Sequence, residues 1–212
     1  MRQFDHIIWD WNGTIIDDVS LALSILNTQL NENAREAMSL EEYRSCFTFP
    51  IKTFYERIGL FGTDEDFMKK NKVFIDRYAQ KLNECRIHNG VIEVLDTFIR
   101  SGGTHSVLSV YAQKHLTEMA RQLGIADKFT HIKGMSGIEG NSKVCAGVEH
   151  LSTLNCKTSR VLFVGDTTHD YEVASALGVQ CALIPKGHQS KEVLSGCQAL
   201  LLDSHEELLA YL

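Results

Sequence analysis

The stretch Ile7-Ile8-Trp9-Asp10-Trp11-Asn12-Gly13-Thr14 is a short apolar run that stops on an acid and then meets the turn-forming pair Asn12-Gly13. Such a run predicts a buried strand whose carboxyl end is Asp10. Similar runs recur at long intervals. Strands are expected over Phe4 to Asp10, His105 to Ser109, Arg160 to Gly165, Gln180 to Ile184 and Ala199 to Leu202, with a weaker one at Phe129 to Ile132. The segments between them carry helical spacing. Val91, Val94, Leu95, Phe98 and Ile99 share one face before Gly102-Gly103, and Leu116, Met119, Ala120 and Leu123 share another before Gly124. Alternating strands and helices predict an α/β fold, a Rossmann-like parallel sheet with helices on both faces.

One segment breaks the alternation. From Ile15 to His88 no strand is evident, whereas Val19, Ala22, Leu23, Leu26 and Leu30 form one helical stripe and Phe67, Phe74, Tyr78 and Leu82 another. Shorter helices are expected at Leu40 to Cys46 and Ile51 to Ile58, divided at Thr48-Phe49-Pro50. The reading is therefore a core made of residues 1–14 and 89–212, interrupted by a helical cap at residues 15–88. The 212-residue length suits one large domain with such an insertion.

Composition narrows the class. Hydrophobic residues make up 44% and charged residues 23%, which excludes disordered and fibrous architectures. A net charge of −6 argues against a nucleic-acid partner gripped through a basic surface. No apolar run approaches a membrane span, and the opening residues turn acidic at Asp5, too soon for a signal peptide. The six cysteines are scattered with no metal-type spacing, which fits reduced thiols, and a cytoplasmic location and a monomer are expected.

Ligands of open parallel sheets bind beyond the carboxyl ends of the strands. Those ends carry Asp10, Ser109 and Gly165-Asp166-Thr167-Thr168-His169-Asp170, and Lys143 opens a helix after Gly140-Asn141-Ser142. Three carboxylates at one place repel unless a cation lies among them. Hard oxygen donors without His or Cys suit Mg²⁺, with a phosphate oxygen completing the set and Ser109 and Lys143 holding the remaining oxygens. The composite reads as a magnesium phosphoryl-transfer site with Asp10 as covalent nucleophile.

Asp10-Trp11-Asn12-Gly13-Thr14, Ser109, Lys143 and Gly165-Asp166-x-x-x-Asp170, in that order, resemble the four motifs of the haloacid dehalogenase superfamily. The helical insertion resembles the cap of its phosphoglycolate phosphatase-like branch. The resemblance implies a hydrolase in which Asp10 attacks the phosphorus of a small phosphorylated substrate and forms an aspartyl-phosphate that water then cleaves. It further implies that Asp10, the Asn12 carbonyl and Asp166 ligate Mg²⁺, with Asp170 in support or bound through water. Ser109, its neighbour Val110 and the backbone amides of Trp11 and Gly13 would hold phosphoryl oxygens, Lys143 would offset charge, and Thr14 would orient the nucleophile.

Position 12 departs from that pattern. Phosphatases of the family usually carry Asp there, which protonates the leaving group and later deprotonates water. Asn12 does neither, and the loss is worth roughly 10²–10⁴ in rate for poor leaving groups. Three readings stay open: a phosphatase that is slow, favours good leaving groups or borrows a proton from His169 or His188; a phosphotransferase or C–P hydrolase, for which Lys52 is the cap lysine on offer; and a non-catalytic phospholigand sensor. Trp9 is expected in the core and Trp11 beside the substrate channel, while Asp17 is expected to cap the first helix of the insertion. The turn Thr48-Phe49-Pro50-Ile51-Lys52 is the segment expected to reach the site, with Tyr55, Arg44 and Arg57 as further candidates for anion binding.

Overall fold

The computed structural model describes residues 3–135, 142–154 and 156–212. The first strand, β1 (His6–Trp9), sits at the centre of a parallel sheet, one neighbour being β4 (Thr104–Ala112) and the other β6 (Val161–Gly165). Outside these lie β5 (His131–Met135) on one side and β7 (Gln180–Leu183) and β8 (Leu200–Leu201) on the other, giving the order β5-β4-β1-β6-β7-β8. Ile8 pairs with Ser106 and Phe163, and Trp9 with Val107 and Val164, so Asp10 emerges level with the ends of its neighbours.

Side chains alternate across this sheet as its pleat requires. Ile7, Trp9, Val107, Leu162 and Val164 enter one buried cluster, while Ile8, Leu108, Val161 and Phe163 enter the other. The first cluster is covered by α5 (Val91–Arg100) and α6 (Gln113–Gln122), the second by α7 (Ser142–Thr153) and α8 (Thr168–Leu177). A short α9 (Lys191–Leu194) follows β7, and Leu194 seats on the second cluster.

Between β1 and α5 the chain forms α1 (Val19–Glu32), α2 (Leu40–Cys46), α3 (Ile51–Arg57) and α4 (Asp64–Lys81). They bury a core of their own, including Leu26, Leu30, Tyr43, Phe47, Phe54 and Phe67. The expected stripe on α4 divides: Phe67 serves this small core, whereas Tyr78 and Leu82 pack on the main one.

Several boundaries differ from the sequence reading. The insertion does contain strands: β2 (Ile16–Asp17) pairs antiparallel with β3 (Arg86–Ile87), joining the chain where it leaves and re-enters the sheet. Two residues are too few to show a period of two, so only the pairing reveals them. Strand β4 runs past Ser109 to Ala112, with its register against β5 shifting between Leu108 and Ala112. Strand β5 lies later than expected because a 3₁₀ turn over Ala126–Lys128 precedes it. Asp17 does not cap α1. It is exposed in β2, and Asp18 takes the cap position without bonding the helix amides. The cysteines among the described residues are free, and no described helix is long and apolar enough to cross a membrane.

Candidate active site

Asp10, Asp166, Asp170 and Lys143 converge, and the local backbone explains how. The Asp10 amide donates to the Val164 carbonyl at 2.9 Å, carrying the β1–β6 ladder one residue beyond the strand. The chain then closes a tight loop in which the amides of Ile15 and Ile16 both donate to the Trp11 carbonyl at 2.9 Å. Gly13 sits at φ 75°, and a Cβ there would lie 2.4 Å from Asp166 Oδ2. Only glycine allows so close an approach with that dihedral.

Asp10, Asp166 and Asp170 are all buried, and each offers a carboxylate oxygen within 4.8 Å of the others. Lys143, 2% exposed, reaches in from the first turn of α7 and donates to Asp10 Oδ1 at 2.5 Å and Asp170 Oδ1 at 2.8 Å. The second Asp170 oxygen accepts from the Thr167 amide at 3.0 Å and its hydroxyl at 2.7 Å. Asp170 thereby holds Lys143 and ties down the Thr167 turn. Asp166 Oδ2 accepts the His188 amide at 2.6 Å, and its Oδ1 accepts the Thr14 hydroxyl at 2.8 Å. Thr14 therefore orients Asp166, whereas the sequence reading had it orient Asp10.

Burial dominates the electrostatics. It raises Asp10 to about 8 despite Lys143, with Asp170 and Asp166 adding to the rise. Burial also raises Asp166 to about 6, against the nearby His188 charge, with Asp170 adding a further rise. Asp170 goes the other way: Lys143 and Thr167 outweigh burial and hold it below the usual carboxylate range. Lys143 is raised, because its two carboxylate partners exceed the cost of burial. A divalent cation fits this donor set, since its charge would offset the cost of ionising these buried hard oxygens.

The remaining predicted residues fall in different places. Ser109 is fully buried on β4, its Oγ accepting the Tyr111 amide at 3.1 Å, and Val110 beside it is exposed. Gly13 gives its amide to Asp18 Oδ1 at 2.7 Å, so that N–H is not free for a phosphoryl oxygen. Trp11 does not flank a channel through its side chain. Its indole is fully enclosed in the same cluster as Trp9, because residues two apart on an extended chain share a face. The indole N–H that was expected to need a partner has none among the described residues. Trp9, as expected, is a core residue, donating to His105 Nδ1 at 3.0 Å.

The insertion meets the core at this end of the sheet. The ring of Phe47 stacks on His188 at 5.0 Å and that of Phe49 lies 5.0 Å from His169, so the expected turn does reach the site's rim. Gln189 ties the two parts, accepting the Thr168 amide at 2.6 Å and donating to the Phe47 carbonyl at 2.8 Å. The cationic candidates are engaged elsewhere. Arg44 donates to the carbonyls of Lys186 and Gly187, Arg57 to that of Cys46, and Lys52 pairs with Asp64 at 2.7 Å. Tyr55 is buried inside the small core.

His188 is not a solvated loop residue. Its Nδ1 lies 2.8 Å from the Tyr43 hydroxyl and its Nε2 3.4 Å from Asp18 Oδ1. Burial alone would lower it, but Asp18 and then Asp166 and Asp10 raise it to about 9. Of the adjacent acids Asp17 and Asp18, the one in β2 faces solvent and the one that follows it turns inward, and the sequence does not say which.

A parallel α/β sheet with a buried acid after its central strand, a lysine bridging that acid to a second and a third acid beside them fits a hydrolase of the haloacid dehalogenase-like class. The haloacid dehalogenase-like hydrolase model matches residues 7–184, and the chain belongs to that family. It is 21% identical over 208 residues to phosphoglycolate phosphatase of Synechococcus elongatus, covering 96% of this chain and 94% of that protein. The Pseudomonas putida phosphoglycolate phosphatase is 23% identical over 211 residues, covering 96% of this chain and 78% of its own. In fold, the chain is similar to a haloacid dehalogenase-like family hydrolase from Streptococcus pneumoniae, with a TM-score of 0.82, 20% identity and coverage of 99% and 98%. CbbY from Rhodobacter sphaeroides, solved in complex with phosphate, superposes with a TM-score of 0.69, 16% identity and coverage of 97% and 96%.

Proposed function

We propose that the protein is a Mg²⁺-dependent phosphatase that hydrolyses a small phosphorylated metabolite through an aspartyl-phosphate on Asp10. The observation that carries this is the bridge from Lys143 to Asp10 and Asp170, with Asp166 alongside, buried at the carboxyl end of the sheet. The relatives named as phosphatases support the phosphatase part of this reading.

Asp10 and Asp166, with the Asn12 carbonyl, are the groups that would hold the metal, which supplies charge neutralisation beside the reacting phosphoryl group. The chain's own residues do the rest. Asp10 Oδ attacks phosphorus as the substrate's ester oxygen departs with the bonding pair. Lys143 offsets the charge gathered between Asp10 and the phosphoryl oxygens, and Ser109 donates to one of them. Water then cleaves the acyl phosphate and returns Asp10 as a carboxylate. Thr14 and the His188 amide hold Asp166 still throughout.

We further infer that residues 15–88 act as a cap on the core formed by residues 1–14 and 89–212, excluding water when it closes. Asn12 has no ionisable proton to give, so good leaving groups are favoured. Phe49, half-buried against His169, suits a leaving group that presents a flat or apolar surface. Phosphoglycolate belongs in the first panel of metabolites because the relatives are named for it.

The test is phosphate release from an aryl phosphate with and without Mg²⁺. Wild type releases phosphate only with the metal, and Asp10→Asn lowers the rate by about 10⁴-fold or more. Mg²⁺-dependent capture of beryllofluoride without any turnover would instead identify a phospholigand sensor.

A further inference from the structure

The carboxylate nearest the substituted position 12 belongs to Asp18, at the junction of β2 and α1 and 1% exposed. Its Oδ1 accepts the Gly13 amide at 2.7 Å and faces His188 Nε2 at 3.4 Å. Its Oδ2 accepts the Tyr78 hydroxyl in a short contact and the Asn12 amide at 3.3 Å. Asn12 Nδ2 also lies 2.5 Å from the Tyr78 oxygen, and His188 Nδ1 lies 2.8 Å from the Tyr43 hydroxyl. Tyr43 comes from α2 and Tyr78 from α4. Helix α4, the loop after β1 and His188 thus meet on one carboxylate, and α2 joins them through the Tyr43–His188 contact.

This geometry gives Asn12 a task that an acid cannot take over. Its amide is a donor, and the group it faces is an anion. A carboxylate at position 12 would put an oxygen where that nitrogen now lies, against Asp18 and with no room for water between them. Like charges that close repel strongly in a buried setting.

We propose that Asp18 is the positioning residue of the site: it registers the Asp10–Thr14 loop and the insertion against each other, and its charge fixes residue 12 as an amide. In this chain position 12 is an amide, and the acid beside it is Asp18. An acid at 12 can serve the leaving group only when 18 is neutral. The inference rests on the phosphatase reading above for its kinetic consequence, and on contacts alone for its structural one.

The experiment is a double-substitution cycle on the full-length chain with Asn12→Asp, Asp18→Asn and the two combined. A second set uses Asp18→Ser, so that failure of one variant to fold leaves the other cycle intact. Thermal unfolding is recorded for each, with kcat/KM on 4-nitrophenyl phosphate and on glycerol phosphate. Asn12→Asp alone is expected to lower Tm by about 5 °C. The combined variants are expected to recover at least half of that loss, a strong non-additivity. Only they should shift the preference toward the alkyl ester, raising the ratio of alkyl to aryl kcat/KM by roughly 10-fold or more over wild type. Additive Tm shifts would overturn the proposal, as would Asn12→Asp alone matching the combined variants on the alkyl ester at an unchanged Tm. Non-additive melting with no phosphate released by any variant or by wild type would uphold the coupling and refute the phosphatase reading instead.

Discussion

At the carboxyl end of the sheet Asp10, Asp166, Asp170 and Lys143 lie buried against one another. At its amino end the same strands begin with a different polar set. His6 Nδ1 is 2.7 Å from the Thr104 hydroxyl, its Nε2 is 2.7 Å from the Ser106 hydroxyl, and Ser106 is in turn 2.6 Å from His150 Nε2. A serine hydroxyl donates to one imidazole and accepts from the other, so both rings are satisfied without a charge. Burial lowers His6 to about 3, with His150 adding to it, and lowers His105 and His150 to about 4. These rings stay neutral at physiological pH. The acids at the other end carry an electrostatic imbalance that a cation would relieve. Both ends hold buried polar groups, so burial does not mark the site; unresolved charge does.

Substitutions can break this contrast. The largest effect on stability is expected from Lys143→Met, which removes the one ammonium bridging Asp10 and Asp170. Unfolding of the metal-free protein should cost about 3 kcal/mol less than in wild type, since breaking a buried pair strands its partners. Denaturant unfolding with added Mg²⁺ should restore part of that loss, and turnover should stay near background. Full stability in the metal-free variant would mean that the acids were never held by the lysine.

Two serines on one strand separate the ends more finely. Ser106 and Ser109 are both fully buried on β4. Ser106→Ala leaves two imidazoles short of a partner and should cost about 2 kcal/mol, with kcat/KM close to wild type. Ser109→Ala leaves only the half-buried Tyr111 amide without its acceptor and should cost less, about 1 kcal/mol, yet lose roughly 10²-fold in kcat/KM. Paired denaturation curves and kinetics would sink the distinction if the two variants behaved alike.

A smaller effect concerns pH. An imidazole held near 4 in the fold and at 6.5 in the unfolded chain takes up its proton first when unfolded, so stability falls as pH drops through that interval. Asp10 and Asp166, raised in the metal-free fold, act in the opposite direction. The useful quantity is therefore the difference between wild type and His150→Gln, whose amide can still reach Ser106. From about pH 7.5 to about pH 5 the wild type should lose about 5 °C more in Tm than the variant. Equal losses would show that His150 titrates as freely folded as unfolded.

The sequence was most legible where the signal is contiguous. Apolar runs ending on Asp10 and Asp166, and a helix opening on Lys143, bring three site residues together because a parallel sheet aligns its strand ends. The stripe Val91-Val94-Leu95-Phe98 likewise states its own helix. What stayed hidden depends on partners far along the chain. Ile16–Asp17 and Arg86–Ile87 are strands only by virtue of each other. Asp18 rather than Asp17 turns inward because Tyr78 and His188, distant in sequence, are there to receive it. The position of His188 shows the same limit: a loop histidine reads as solvated until Phe47 and Tyr43 cover it.

The claim beneath all of these is that Asp10 carries the phosphoryl group. Acid quenching during turnover of an aryl phosphate with Mg²⁺, followed by peptide mass spectrometry, reads that directly. The account predicts a phosphoryl adduct on the peptide containing Asp10, absent in Asp10→Asn and lost when the quenched peptide is exposed to hydroxylamine. Sustained phosphate release with Asp10 unmodified at every quench time would contradict it.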